Sequence, residues 1–257
     1  VSRRAGGVSI GINLNPNNAC NWRCIYCQVP DLTRGGPPPI DLRRLQTELD
    51  HMLDDLLLGD FLVSRVPEGQ RRLVDFAFSG NGEPTSAREF SDAVHLVVDT
   101  MVRRDLLPHV KLRLITNGSL LDRKSVRDGI ARIGAAGGEV WFKVDSARSE
   151  AATRINGVQL RVETTERRLR ACCRLCPTWI QTCLFAVDGQ LPGERDISEL
   201  TDLFVRCREE IRGIHLYGLA RPSAQPEASR LTPVPTAWLE AVGAKLRDQG
   251  LTVEVSP

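Results

Sequence analysis

The 257-residue chain predicts an α/β protein of parallel strands with outer helices. Three observations carry this expectation. Short apolar runs rich in β-branched and aromatic residues alternate with longer amphipathic stretches along the chain. Several of those runs end in short polar motifs, and parallel sheets place ligands at the carboxyl ends of their strands, whether open or closed into a barrel. The length fits one large domain, and 42% hydrophobic with 26% charged residues is the composition of an ordinary globule.

The elements follow in order. A first strand from Val8 to Leu14 alternates with period two and delivers the chain to a polar loop that holds three cysteines. The breaker run Gly35-Gly36-Pro37-Pro38-Pro39 ends that loop, and Asp41 can cap a helix with Leu42, Leu45, Leu49, Met52, Leu53 and Leu56 at helical spacing. The second strand, Leu73 to Phe78, runs straight into Ser79-Gly80-Asn81-Gly82-Glu83-Pro84-Thr85, and a helix with Phe90, Val94, Val97, Val98 and Met101 on one face follows. A third strand, Lys111 to Ile115, ends in Thr116-Asn117-Gly118-Ser119, and the helix from Asp122 to Ile133 closes near Gly134 or the Gly137-Gly138 pair. Val140 to Val144 is the fourth strand, leading into Asp145-Ser146. A helix over Val162 to Leu175, a fifth strand over Thr178 to Phe185, a helix over Ile197 to Cys207 and a sixth strand over Gly213 to Tyr217 come next. The segment from Ala220 to Leu231 is rich in Pro, Ser and Ala, and its composition suits a cover for the open side of the sheet. A helix around Trp238, Leu239, Val242 and Leu246 and a strand from Leu251 to Val255 end the chain. One domain over 1–257 is expected, with a core at about 8–219 and a C-terminal loop, helix and strand over 220–257.

Composition narrows the function classes. No run approaches eighteen apolar residues, so no membrane span or membrane partner is expected. The opening Val1 to Gly7 is not followed by the apolar core of a signal peptide. Eight cysteines without such a signal argue for a reducing, metal-using compartment, and a cytoplasmic location is expected. The net charge of +2 neither recommends nor excludes a nucleic-acid partner.

The chemistry centres on Cys20, Cys24 and Cys27, spaced by three and then two residues among the polar groups Asn17, Asn18, Asn21 and Arg23. Thiolates are the protein ligands of iron–sulfur clusters, and three of them leave one iron of a [4Fe–4S] cube to another ligand. A structural zinc site would want a second ligand pair, and no His or Cys occurs in the twenty residues after Cys27.

Cys-x3-Cys-x2-Cys with the aromatic Tyr26 before the last cysteine resembles the radical S-adenosylmethionine (radical SAM) family. The resemblance implies a partial (β/α)6 barrel and a [4Fe–4S] cluster. It also implies S-adenosylmethionine on the open iron and reductive cleavage to a 5′-deoxyadenosyl radical that abstracts hydrogen from substrate. It implies an external one-electron reductant of flavodoxin or ferredoxin type. Ser79-Gly80-Asn81-Gly82-Glu83-Pro84 resembles the family's Gly-Gly-Glu-Pro motif, where close backbone approach serves the ligand's ammonium and Glu83 adds negative charge or orients the backbone. A glycine turn with Glu at the first helical turn is the plainer reading. Asn117 matches the family's ribose or carboxylate contact, although Asn-Gly is also a turn signal. At the fourth strand's end, Asp145 or Ser146 would hold ribose hydroxyls and Lys143 the ligand carboxylate. Lys143 and Asp145 also share a face, which allows a simple ion pair. Tyr26 would pack on the adenine. His215 and Tyr217 on the sixth strand join Lys143 as catalytic candidates, and Arg221 suits an anionic group.

Cys172, Cys173, Cys176 and Cys183 are either small buried hydrophobes or a candidate second cluster. Within the superfamily, the Gly11–Leu14, Cys20–Gln28, Phe78–Thr85 and Ile115–Gly118 runs look like the wyosine-synthase branch and its uncharacterised bacterial relatives. Those enzymes carry a further cysteine set upstream, whereas residues 1–19 here contain none, so wyosine chemistry is not assigned. The expected function is therefore a radical SAM enzyme acting on a small molecule, a modified nucleoside or tRNA base, or a peptide. Two alternatives stand beside it: an iron–sulfur electron carrier or sensor whose fourth ligand is a cysteine of the 172–183 group, and a zinc-stabilised binding module.

Overall fold

The computed structural model describes residues 6–107 and 109–257; the opening Val1 to Ala5, read above for a signal peptide, lies outside the described residues. Seven strands form the main sheet: β1 (Val8–Ile12), β2 (Leu73–Phe78), β3 (Lys111–Thr116), β4 (Glu139–Lys143), β5 (Thr178–Cys183), β6 (Gly213–Tyr217) and β7 (Val253–Ser256). Their order across the sheet is their order in sequence, and every neighbouring pair is parallel. Parallel neighbours require a crossover, and helices supply each one. They are α1 (Leu42–Leu57), α2 (Phe90–Arg103), α3 (Lys124–Ala135), α4 (Ser149–Asn156), α5 (Val162–Cys173), α6 (Glu194–Arg206) and α7 (Thr236–Asp248). β1 and β7 are the two ends of the sheet, which is therefore an open array and not a closed barrel.

Strand parity decides which face does what. Ile10 and Ile12, Phe76 and Phe78, Leu112 and Leu114, Val140 and Phe142, Ile180, and Ile214 and Leu216 join one core with Leu53 of α1, Val97 and Met101 of α2 and Ile130 of α3. Residues of the opposite parity are mostly polar or aromatic, among them Ser9, Asp75, Arg113, Glu139, Trp141, Lys143, Trp179, Gln181, His215 and Tyr217. Near the amino ends of the strands Arg113 pairs with Asp75 and, at 2.6 Å, with Glu139, which also accepts from Trp141 Nε1 at 2.9 Å. The carboxyl ends of that same face line a cavity.

The structure adds detail the sequence did not reveal. β1 stops at Ile12, because Asn13 Oδ1 accepts from the N–H groups of Asn15 and Asn81 and turns the chain. The expected fifth strand divides: β5 ends at Cys183, and Phe185–Val187 leaves the sheet to pair antiparallel with Leu231–Pro233. The C-terminal strand lies beside β6 in the main sheet, with Val253 opposite Ile214. Helix α4 carries only small buried residues, Ala151 and Ala152, besides Asn156, so no apolar periodicity announced it. The cysteine loop is tied at its base by a short parallel pairing of Ala19–Cys20 with Thr33–Arg34.

Candidate active site

Cys20, Cys24 and Cys27 lie in the loop after β1, each partly exposed, and all three line one cavity of about 520 Å³. The loop is held from several sides. Trp22 N–H stands 3.5 Å from Cys20 Sγ, and Asn156 Nδ2 stands 3.3 Å from Cys24 Sγ. Cys27 O accepts from Ala224 N–H at 2.9 Å, Ser223 Oγ at 3.1 Å and Gln225 Nε2 at 3.3 Å. The Pro-rich segment expected to cover the open side thus straps the cysteine loop. Burial pushes the Cys24 thiol up to about 12, with Asp145 adding to the rise while Lys143 and Asn156 oppose it. Among the described residues no three His, Cys, Asp or Glu side chains form a group able to hold one metal ion. A cube makes a different demand, because each thiolate takes its own iron and the sulfurs stand around the cluster. Three thiols on one cavity wall, two of them facing N–H donors, fit that demand.

The second motif is built around Glu83, which is 3% exposed. Its Oε1 accepts from Thr85 N–H at 3.2 Å and from the hydroxyls of Thr85 and Thr116, both at 2.6 Å, while Oε2 accepts from Asn117 N–H at 2.7 Å. Burial raises its pKa against the pull of these donors. Asn117 extends the network, since its Nδ2 donates to Asn21 Oδ1 at 2.9 Å and Asn21 Nδ2 donates to Ser119 Oγ at 2.7 Å. The carboxyl ends of β2 and β3 are thereby joined to the cysteine loop. Glycine is needed here for close approach: a Cβ on Gly82 would stand 2.2 Å from Ala19 O, and one on Gly80, at φ +145°, would stand 2.6 Å from Asn13 Oδ1. Asn81 points at the loop as well, with Nδ2 on Asn18 Oδ1 at 2.7 Å, and is not among the residues that line the cavity.

Lys143 lines the cavity with Gln181, Cys183, Tyr217 and Arg221. Its Nζ lies 3.5 Å from Tyr217 Oη and 5.0 Å from the centroid of the Tyr26 ring. Burial works against its charge, yet Tyr217, Asp145, Cys24 and Cys183 around it hold its pKa above the ordinary lysine value. Tyr26 donates to Asp145 Oδ2 at 2.5 Å and packs on Phe185 with ring centroids 5.4 Å apart.

Four expected site residues stand elsewhere. Asp145, 4% exposed, is used inside the protein: it accepts from Tyr26, from Asn156 Nδ2 at 2.8 Å and from Cys183 N–H at 3.1 Å. Ser146 Oγ accepts from Arg148 N–H at 3.0 Å and shapes the turn into α4. His215 sits two residues before Tyr217 on β6, stacked on Trp179 at 4.6 Å and packed against the tilted ring of Trp141 at 4.7 Å, with Nδ1 3.1 Å from Glu254. None of the three lines the cavity, and Asn81 is the fourth such residue. The cysteine quartet is also divided. Cys183 is at the cavity end of β5, whereas Thr178 Oγ, at the strand's other end, donates to Cys172 Sγ at 3.5 Å. Cys207 takes its place in the neighbourhood of Cys173. Sequence reasoning missed Asn156, which donates to Cys24 Sγ, and Gln181 on the cavity wall.

The family model described as the radical SAM superfamily matches residues 14–197. The chain belongs to the radical SAM superfamily. Among curated proteins it resembles a UPF0026 protein of Methanocaldococcus jannaschii, 29% identical over 157 residues, which is 61% of this chain and 42% of that protein. Its fold is similar to that of Streptococcus suis SuiB bound to S-adenosylmethionine (TM-score 0.61, 13% identity, 98% of this chain and 47% of that one). It is also similar to TYW1 with a lysine-pyruvate adduct bound (TM-score 0.62, 17% identity, 93% of this chain and 73% of that one). The chain spans less than half the length of the first two, so this radical SAM chain shares a module with proteins longer than itself. These structural likenesses establish the α/β fold with a parallel sheet open at its ends.

Proposed function

We propose that the chain is a radical SAM enzyme in which Cys20, Cys24 and Cys27 hold three irons of one [4Fe–4S] cluster and the fourth iron takes S-adenosylmethionine. The observation that carries the reading is the convergence of all three thiols, Glu83, Asn117 and Lys143 on one cavity at the carboxyl ends of β1 to β4. When bound, the cluster supplies one electron for cleavage of the sulfonium and hence hydrogen abstraction from substrate, the hard chemistry a protein delegates to a cofactor.

The chain's own residues orient and dry the site. Glu83, held by four donors, fixes Asn117 and the glycine turn that approaches the cysteine loop. Lys143 keeps its charge in a partly buried position and offers an ammonium for the ligand's carboxylate. Gln181, Tyr217 and Arg221 line the remaining cavity wall and offer hydrogen bonds and one more cation to the substrate, a small molecule, a modified nucleoside or tRNA base, or a peptide. The electron comes from an external reductant of flavodoxin or ferredoxin type. No helix among the described residues is long and apolar enough to cross a membrane.

The test is anaerobic reconstitution followed by dithionite and S-adenosylmethionine. 5′-Deoxyadenosine should form, and Cys24→Ala should abolish it while Cys207→Ala, at the far end of the sheet, should not. Iron near four per chain supports a single cluster, whereas a value near eight would point to a second one at Cys172, Cys173 and Cys176. One observation favours a second reading. Cys183 lines the same cavity as the three loop thiols and could supply the fourth ligand of an electron carrier or sensor. In that case 5′-deoxyadenosine would be absent, and Cys183→Ala would change the cluster's spectrum without any nucleotide.

A further inference from the structure

Helix α4 ends against the cysteine loop. The last carbonyls of an α-helix have no partners within the helix, and here the loop provides two. Ile155 O accepts from Ile25 N–H at 2.8 Å and Asn156 O accepts from Arg23 N–H at 2.9 Å. Gly157, at φ 67°, closes the helix in the left-handed conformation. This seats Asn156, 1% exposed, beside the second cysteine. Its Nδ2 donates both to Cys24 Sγ at 3.3 Å and to Asp145 Oδ2 at 2.8 Å. A carboxylate only accepts, as does a thiolate once it ligates iron, so the amide has one workable orientation; turning it over would set its oxygen against both. Asp145 is itself fixed by Tyr26 and by Cys183 N–H. Asparagines of the loop itself direct their amides elsewhere: Asn15 to Ala19 O, Asn17 to Gly36 O, Asn18 to Pro30 O and Asn21 to Ser119 Oγ.

We propose that Asn156 is a positioning residue that sets the reduction potential of the cluster held by Cys20, Cys24 and Cys27, by donating a hydrogen bond to the Cys24 sulfur. The inference rests on the iron–sulfur reading above. One added electron raises the negative charge shared by the cluster and its thiolates. A donor on one of those sulfurs therefore stabilises the reduced state more than the oxidised one. The bond is charge-assisted and partly buried, which strengthens it. Asn156 thus makes the cluster easier to reduce by an external one-electron donor, without touching substrate or nucleotide.

The experiment is a redox titration of the reconstituted protein, followed by the paramagnetic signal of the reduced cluster. Asn156→Leu has nearly the same size and no donor; Asn156→Gln keeps the amide on a longer arm. The midpoint of Asn156→Leu should move negative, with reduction weakened about tenfold, which is about 59 mV for a one-electron couple. Asn156→Gln should lie between it and the parent. An unchanged midpoint in Asn156→Leu overturns the proposal, as does an equal shift in both variants, which would indicate packing and not donation. If Asn156→Leu fails to hold iron, the unmutated protein still decides. With asparagine labelled by ¹⁵N in the side chain, the reduced cluster should couple magnetically to one such nitrogen, and no coupling overturns the proposal. Failure of the unmutated protein to assemble a cluster would instead remove the iron–sulfur reading itself, and this inference with it.

Discussion

Glu83 illustrates how much of the candidate site is internal scaffolding. Four donors meet its carboxylate, from Thr85, Thr116 and Asn117, so its first task is to join the ends of β2 and β3. Glu83→Gln keeps one acceptor oxygen and sets an N–H₂ group against Asn117 N–H. Loss of that bond and of its satisfied partner should cost about 1–3 kcal/mol in denaturant unfolding, with weaker nucleotide binding alongside. At the cysteines the expectation is simpler: Cys20→Ala, Cys24→Ala and Cys27→Ala should each lose the cluster on reconstitution, read as iron content and visible absorption. The motifs brought Glu83, Asn117 and the cysteines into view from sequence, because glycine spacing and thiol spacing are local. Their partners were not legible, since Thr116 and Asn117 approach Glu83 only when β3 pairs with β2. His215 shows the same limit. The sequence placed it on the sixth strand as a catalytic candidate, but its seat between Trp141 and Trp179 depends on three strands in register.

At the scale of elements, strands were the most legible feature, because one parity of most runs is apolar and packs beneath helices. Helices α1 and α2 were legible for the same reason. Helix α4 was not: it is eight residues long, polar outside and closed by contacts to the cysteine loop, and Asn156 was hidden with it. The seam between the glycine turn and that loop is tight enough to test. In Gly82→Ala the new Cβ would lie 2.2 Å from Ala19 O, next to Cys20, so the loop must shift. The variant should unfold at lower denaturant by roughly 1–3 kcal/mol, typical of overpacking, and retain less iron. A second test concerns Asp122, just before α3, which accepts from Arg168 of α5 at 2.5 and 3.0 Å. The Arg168 guanidinium holds its carboxyl below the usual range. A carboxyl depressed in the folded state stabilises above its unfolded pKa of about 3.9, and that contribution disappears as pH falls through the lower folded value. Asp122→Asn should therefore cost under about 1 kcal/mol at pH 7, the side chain being largely solvent-exposed, and the difference from the parent should shrink as pH falls below the unfolded value of about 3.9.

At the scale of the molecule, seven parallel strands in sequence order bring residues from opposite ends of the chain to one rim. Cys20, Glu83, Asn117, Lys143, Cys183, Tyr217 and Arg221 come from six successive strand ends or the loops just beyond them. The succession was legible in the sequence; which residues reach the cavity depends on strand pairing and register and on the strap at Ser223 and Gln225, and no local pattern encodes either. The account also predicts linkage. S-adenosylmethionine at a hundredfold excess over its Kd should stabilise the reconstituted protein by about 2.7 kcal/mol in thermal unfolding, and the metal-free protein far less. The most direct measurement is the electron paramagnetic resonance spectrum of the anaerobically reconstituted, reduced protein with and without S-adenosylmethionine. A signal that shifts on addition means that the nucleotide binds at the iron left open by Cys20, Cys24 and Cys27, as predicted here. A reduced-cluster signal identical in both samples would mean that this position already has a ligand, and would contradict the enzymatic reading.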